Sequence, residues 1–205
     1  MWLPMPARTQ EERKADTRAR LIAAAADLFA RKCFHAVSVE AVADAADRTT
    51  GALYNHFGGK DGLLLALVEQ WLSESAARIL AGVEEAHDLD GRLRALWTDS
   101  LVAAHGDAEL WLLLEFELWL HGARNAEFGD RLAARYAERR RNLAAPLQAW
   151  AKDEGLGKLR HPERTAGLVI ALLLGTAMQE RLDPRAFSST DVVAGLRSIL
   201  EGDAA

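Results

Sequence analysis

Ser38, Thr49, Thr50, Tyr54, Asn55, His56 and Lys60 concentrate hydroxyl, carboxamide, imidazole and ammonium groups in one short stretch of the chain. Thr and Tyr hydroxyls donate to phosphate oxygens, and an Asn carboxamide can make two hydrogen bonds to an adenine edge. Gly51, in their midst, lets a helix backbone come close to whatever it faces. This is the chemistry of holding a nucleic acid. Nothing near His56 in sequence would organise it as a base or a metal ligand, so it is expected to donate a hydrogen bond to phosphate.

Two short helices must position these groups. Ser38, followed by Val39, Val42 and Ala46, reads as one capped helix. Thr49, followed by Leu53 and Phe57, reads as a second, ended by Gly58-Gly59. The tight segment Asp47-Arg48 joins them in the outline of a helix-turn-helix, whose second helix enters a major groove. With Leu53 and Phe57 turned to the core, Thr50, Gly51, Tyr54 and Asn55 occupy the opposite face. The helix N-termini near Ser38, Thr49 and Lys60 can attract phosphates. Upstream, Leu21, Ala24, Ala25, Leu28 and Phe29 keep the spacing of a helix that buries one face, over about 9–31, and Thr9 with Glu12 suggests a capping box at its start. From Lys60, the stripe Leu63, Leu64, Val68 and Trp71 begins a long helix reaching about Val83.

Periodicity then predicts helices near 90–105, 108–121, 126–153, 162–181 and 189–201, giving nine helices, no strand and an all-α fold. Pro146 falls inside the 126–153 segment, where a kink or a split is expected. Pro162 fits the first position of the next helix and Pro184 follows its end.

The 205 residues, about half of them apolar and 27% charged, describe a globular composition and exclude collagen-like, disordered and disulfide-stapled classes. The one cysteine, Cys33, favours a reducing compartment. The N-terminus shows no signal-peptide pattern, and the apolar run Ala166 to Met178 is shorter than a membrane span needs, so a cytoplasmic location without a membrane partner is expected. The net charge of −5 hides an asymmetry: residues 1–60 hold nine Lys/Arg against seven Asp/Glu, and the remainder holds 16 against 23. Opposite signs suggest different partners for the two parts.

The run from Leu28 to Asp61, and above all Gly51-x-Leu53-Tyr54-x-His56-Phe57 followed by Lys60, resembles the DNA-binding domain of the tetracycline-repressor (TetR) family of bacterial regulators. The resemblance spans about residues 17–65. It implies a flexible tail over 1–8, a helix-turn-helix domain over 9–59 and an effector-binding and dimerisation domain over 60–202. It also implies that Ser38, Tyr54, His56 and Lys60 touch phosphate, while Thr49, Thr50, Gly51 and Asn55 approach bases or backbone. Two positions depart from the family pattern, Cys33 and Asp47, where Gly is usual. Both commonly need a left-handed backbone, which Asp tolerates and Cys tolerates poorly, so an altered helix end is expected at Cys33.

The C-terminal resemblance is weaker. Trp71, Trp97, Trp111, Phe116 and Trp119 form a high aromatic load, and the family would gather such helices around a cavity for a hydrophobic or aromatic small molecule; simple core packing is the alternative. Glu115, Glu117 and His121 would supply polar contacts there or form the solvated face of their helix. Leu168, Leu172, Gly175 and Gln179, with Val192, Leu196 and Ile199, fall on the two last helices, which in this family form a four-helix interface between subunits. Two helix-turn-helix units about 34–36 Å apart then match successive major grooves of a palindromic operator.

An all-α enzyme is the competing class. Only Glu84-Glu85-Ala86-His87 matches the Glu-x-x-His pair of a di-iron bundle, and it sits where a helix should end. No His-Glu-x-x-His or phosphate-cradling glycine motif occurs, and Arg139-Arg140-Arg141 reads as a solvated face. No catalytic residue, metal or cofactor is expected. A protein-interaction adaptor that has lost DNA binding is the third class.

Overall fold

The computed structural model describes residues 9–98 and 108–204. Among these residues every regular element is a helix, and one isolated backbone bridge joins Leu159 and Ala204. The helices are α1 (Gln10–Lys32), α2 (Val39–Ala45), α3 (Thr50–Phe57), α4 (Lys60–Glu85), α5 (Leu89–Trp97), α6 (Ala108–Arg124), α7 (Ala126–Asp153), α8 (Pro162–Leu182) and α9 (Ser189–Asp203). Apart from Thr98, the part of the 90–105 segment beyond α5 lies outside the described residues. Packing divides the chain into two compact units, one ending at Gln70 and the other beginning at Trp71, so α4 contributes to both.

The N-terminal unit is built from local signals. At the start of α1 the Thr9 hydroxyl accepts from the Glu12 amide at 3.2 Å while Glu12 accepts from the Thr9 amide at 2.7 Å. The capping box is present as its spacing predicts. Leu21, Ile22, Ala25 and Phe29 of α1 are buried, as are Val42 and Ala43 of α2, Leu53 of α3 and Leu63, Leu64 and Leu67 of α4. Each buried leucine or phenylalanine contributes about 2 kcal/mol relative to exposure. Phe29 and Phe34 meet edge to face at 5.2 Å.

Cys33 and Asp47 both carry positive φ, 59° and 54°. Cys33, with ψ 156°, ends α1 in a conformation that is essentially reserved for glycine. The positive φ that glycine favours is thus kept at both positions with a side chain in place.

The C-terminal unit packs α7 against α6 and α8, and α9 against α8 and α5. Its core gathers Trp71, Leu89, Leu93, Leu96, Trp97, Leu147, Trp150, Leu173, Val192 and Leu196. Helix α7 is not split: it runs unbroken through Pro146. Proline removes one main-chain donor, and that loss is outweighed where Ala144, Leu147, Trp150 and Ala151 on the same helix are buried. No helix of the described residues is long and apolar enough to cross a membrane, and none of their side chains form a group suited to hold a metal ion.

Candidate nucleic-acid interface and C-terminal polar cluster

Helix α3 is anchored by Leu53, which is fully buried, and the side chains around it sort by face. Thr49, Gly51, Tyr54 and Asn55 are exposed, while Thr50 and His56 are half-buried. Of the predicted outward set, Gly51, Tyr54 and Asn55 reach solvent and Thr50 is partly enclosed. Phe57, expected in the core, is only partly enclosed, and the Arg18 guanidinium lies 5.5 Å from its ring centroid.

Both helix starts are capped by hydroxyls. Ser38 Oγ accepts from the Ala41 amide at 3.1 Å and Thr49 Oγ1 accepts from the Ala52 amide at 3.2 Å. A hydroxyl that accepts this way keeps its own hydrogen for a further partner. In Ser38 that hydrogen is engaged: the Glu40 carboxyl is held below its usual range, first by a backbone amide and then by the Ser38 hydroxyl.

At the end of α3, Gly58 takes φ 72° and its amide donates to the Tyr54 carbonyl at 2.8 Å. The Tyr54 ring lies against Gly59, within 3.6 Å of where a Cβ would stand, which fixes the ring while leaving the residue 55% exposed. Lys60 opens α4 with its Nζ 4.3 Å above the Phe34 ring, an arrangement that holds the ammonium at a defined place. Partial burial, followed by the charges of Lys14 and Arg18, lowers the His56 pKa. A neutral imidazole still donates one N–H, so the expected hydrogen-bonding role is chemically available to it.

Sequence reasoning missed the residue that holds the turn. Arg48 Nη2 reaches Asp16 Oδ2 at 2.9 Å, its Nε reaches Thr17 Oγ1 at 3.2 Å, and its Nη1 donates to the Asp47 carbonyl at 2.6 Å. One guanidinium thus ties the α2–α3 turn to α1 and fixes the angle at which α3 presents its outer face. No spacing rule signals this, because Arg48 and Asp16 are 32 residues apart.

In the C-terminal unit, Trp71 and Trp97 are buried members of the core and Phe116 packs against it. The side chain of Trp111 lies outside the described residues. Trp119 sits apart, 44% exposed, with its ring edge-on to Tyr136 at 5.4 Å between centroids. His121 packs on Phe128 at 4.6 Å.

Glu115, of the polar candidates on α6, is buried, with only 3% of its surface exposed. The Tyr136 hydroxyl donates to Glu115 Oε1 and accepts from Trp119 Nε1. Arg139 Nη1 stands 3.7 Å from the same carboxylate oxygen. Burial first, and then the neighbouring carboxylate, push the Tyr136 phenol up, so it stays protonated and remains a donor. The solvated-face reading of Arg139-Arg140-Arg141 is thereby corrected for two members. Arg139 turns inward to Glu115, and the Arg140 stem lies over Gly167 of α8. Only Arg141 is exposed.

Of the candidate interface residues, Leu168 is 50% exposed, Gly175 and Gln179 are exposed, and Leu172 and Ile199 are half-buried. Val192 and Leu196 are corrected: at 2% and 0% exposure they lie inside the core of their own chain and offer a partner no surface. Both lie on the buried stripe of α9, and helical spacing marks an apolar stripe without saying whether its own chain or a partner covers it.

A three-helix unit with a capped helix-turn-helix and an outward polar face defines a DNA-binding regulator class. Residues 21–67 match the bacterial regulatory proteins of the tetR family, and residues 89–203 match the C-terminal region of BetI-type transcriptional repressors. The chain belongs to the TetR family of transcriptional regulators. It is 28% identical over 116 residues to the HTH-type transcriptional regulator UidR of Escherichia coli K12, a match that takes in 57% of this chain and 57% of that relative. The HTH-type nicotine-responsive transcriptional repressor HdnoR of Paenarthrobacter nicotinovorans is 26% identical over 172 residues, 82% of this chain and 86% of that one. The crystal structure of a TetR-family regulator from Rhodococcus sp. shares the fold with a TM-score of 0.72 at 21% identity, covering 93% of this chain and 100% of that chain. Relatives and family alike are regulators of transcription and not enzymes.

Proposed function

We propose that the protein is a repressor that binds a palindromic operator as a homodimer and releases it when a small hydrophobic or aromatic effector occupies the C-terminal unit. The observation that carries the reading is the outer face of α3. Thr49, Gly51, Tyr54 and Asn55 stand exposed together, on a helix whose inner side is fixed by buried Leu53 and whose approach angle is fixed by Arg48. Tyr54 and Lys60, with His56, meet phosphates, while Thr50 and Asn55 reach base edges. Ser38 contributes once its hydroxyl turns from Glu40. The partner surface is the exposed side of α8 and α9, at Leu168, Leu172, Gly175, Gln179 and Ile199.

The nicotine-responsive relative supports a small-molecule signal. The effector region is the aromatic group of Trp71, Trp97, Trp111, Phe116 and Trp119, with His121. Release is a population shift: the effector favours a conformer in which α4, whose first turns belong to one unit and whose last turns belong to the other, no longer lets two α3 helices fit successive grooves.

The test is selection of fragments of the source genome by the purified protein at two salt concentrations. A palindromic site bound by an even number of subunits, weakening steeply as salt rises, supports the reading. Recovery of nothing above random fragments by folded protein would overturn it in favour of an adaptor role.

A further inference from the structure

The buried cluster on α6 and α7 is incomplete in a specific way. Glu115 Oε1 is used by Tyr136, yet Glu115 Oε2 is buried with no hydrogen-bond partner among the described residues. Arg139 Nη1 is likewise buried without a hydrogen-bond acceptor and stands 3.7 Å from Glu115 Oε1. An orphaned acceptor and an orphaned donor therefore lie in one cluster. Folded proteins satisfy nearly all such atoms, so an orphaned pair in one cluster calls for a partner, whether a water or a ligand group. The cluster reaches the surface at Trp119, which is 44% exposed and whose indole packs edge-on against Tyr136.

We propose that Glu115 Oε2 and Arg139 Nη1 form a two-point recognition site for a neutral carboxamide-type group, an N–H donor beside a carbonyl acceptor, carried on an aromatic ring that packs against Trp119. The inference rests on reading the C-terminal unit as the effector-binding part, and it names the chemistry that unit selects. The ligand N–H donates to Oε2 while its carbonyl accepts from Nη1, and both orphans are satisfied at once. A free cation would meet Glu115 but be repelled by Arg139. An anion would meet Arg139 but be repelled by Glu115. The site as a whole is neutral, and a neutral group with both functions fits it best. Tyr136 stays out of the exchange because it is committed to Oε1 on one side and to the Trp119 indole on the other.

Three probes of similar size separate the alternatives: benzamide, benzylamine at neutral pH and benzoate. Each is titrated into the full-length protein while thermal midpoint and tryptophan fluorescence are followed. Benzamide is expected to raise the midpoint saturably and to bind at least tenfold tighter than either charged probe. Glu115→Gln, which keeps the shape of the side chain, should weaken benzamide at least tenfold, while Glu127→Gln at the exposed start of α7 should not. Equal or better binding of benzoate or benzylamine overturns the proposal, as does benzamide binding that Glu115→Gln leaves unchanged. Should Glu115→Gln fail to fold, the order of the three probes on the unaltered protein decides alone. The two levels of inference separate in the same assay. No benzamide binding, with salt-sensitive selection of a palindrome intact, overturns the recognition site and leaves the repressor reading standing. Benzamide bound in the expected order, with retention of the selected DNA unaffected, supports the site and counts against effector release.

Discussion

At the residue scale, Cys33 and Tyr54 give opposite kinds of prediction. Cys33 is exposed and holds φ 59°, ψ 156°, a region that costs a non-glycine residue about 1–3 kcal/mol. Cys33→Gly relieves that strain at the expense of some extra unfolded-chain entropy. A net gain of about 1 kcal/mol is expected, seen as a higher denaturant midpoint with an unchanged slope; an unmoved midpoint would show the helix end to be unstrained. Tyr54→Phe removes one exposed hydroxyl and keeps the ring that rests on Gly59. Stability should hold within about 0.5 kcal/mol while DNA affinity falls several-fold. Unchanged affinity would take Tyr54 off the list of phosphate contacts. Much at this scale was legible in the sequence. The caps at Thr9, Ser38 and Thr49 and the outward side of α3 follow from spacings of three and four residues. The Arg48–Asp16 and Tyr136–Glu115 pairs were not legible, since partners 32 and 21 residues apart meet only after the helices pack.

At the element scale, two glycines of the helix-turn-helix region do different work. A Cβ at Gly62 would stand 1.8 Å from the Phe57 carbonyl oxygen, so the start of α4 can follow α3 this closely only with no side chain there. The obstacle is backbone and cannot swing aside. Gly62→Ala should therefore lower the thermal midpoint of the N-terminal unit, with a loss of roughly 2 kcal/mol or more, and take DNA binding with it. At Gly51 the nearest atom to a Cβ is Thr49 Oγ1 at 3.8 Å, an ordinary contact. Gly51→Ala should raise stability by about 0.5–1 kcal/mol through helix propensity, yet weaken DNA binding by holding the α3 backbone away from the duplex. Gain of stability with no loss of affinity would show that the backbone does not approach DNA at this position. The helices themselves were legible because each carries its own periodic stripe. Pro146 was the exception: the local rule weighs one lost hydrogen bond, whereas the outcome in α7 depends on the apolar side chains that flank it in the folded core.

At the scale of the whole molecule, the question is what covers α8. Leu168 is 50% exposed and Leu182 79%, on a helix that also buries Val169, Ile170, Leu173 and Leu174. An apolar helix open on one side is the expected form of a surface made for another copy of the chain. Gly175 tests this with little disturbance of the subunit. It is exposed, and a Cβ there would meet nothing within 4 Å, so Gly175→Glu fits the isolated chain and adds helix propensity. In a dimer closed across α8 the same change places a carboxylate, and by symmetry its copy, inside an apolar contact. That burial is affordable only if the charge is paired, and nothing apolar can pair it. Sedimentation should then report monomers at concentrations where the unaltered protein is dimeric. Affinity for a palindromic operator should fall roughly 100-fold or more, because the second helix-turn-helix no longer binds as part of the same particle. Affinity for a single half-site should remain. If Gly175→Glu stays dimeric, the subunits meet elsewhere and the spacing of the two α3 helices has to be set by a different surface.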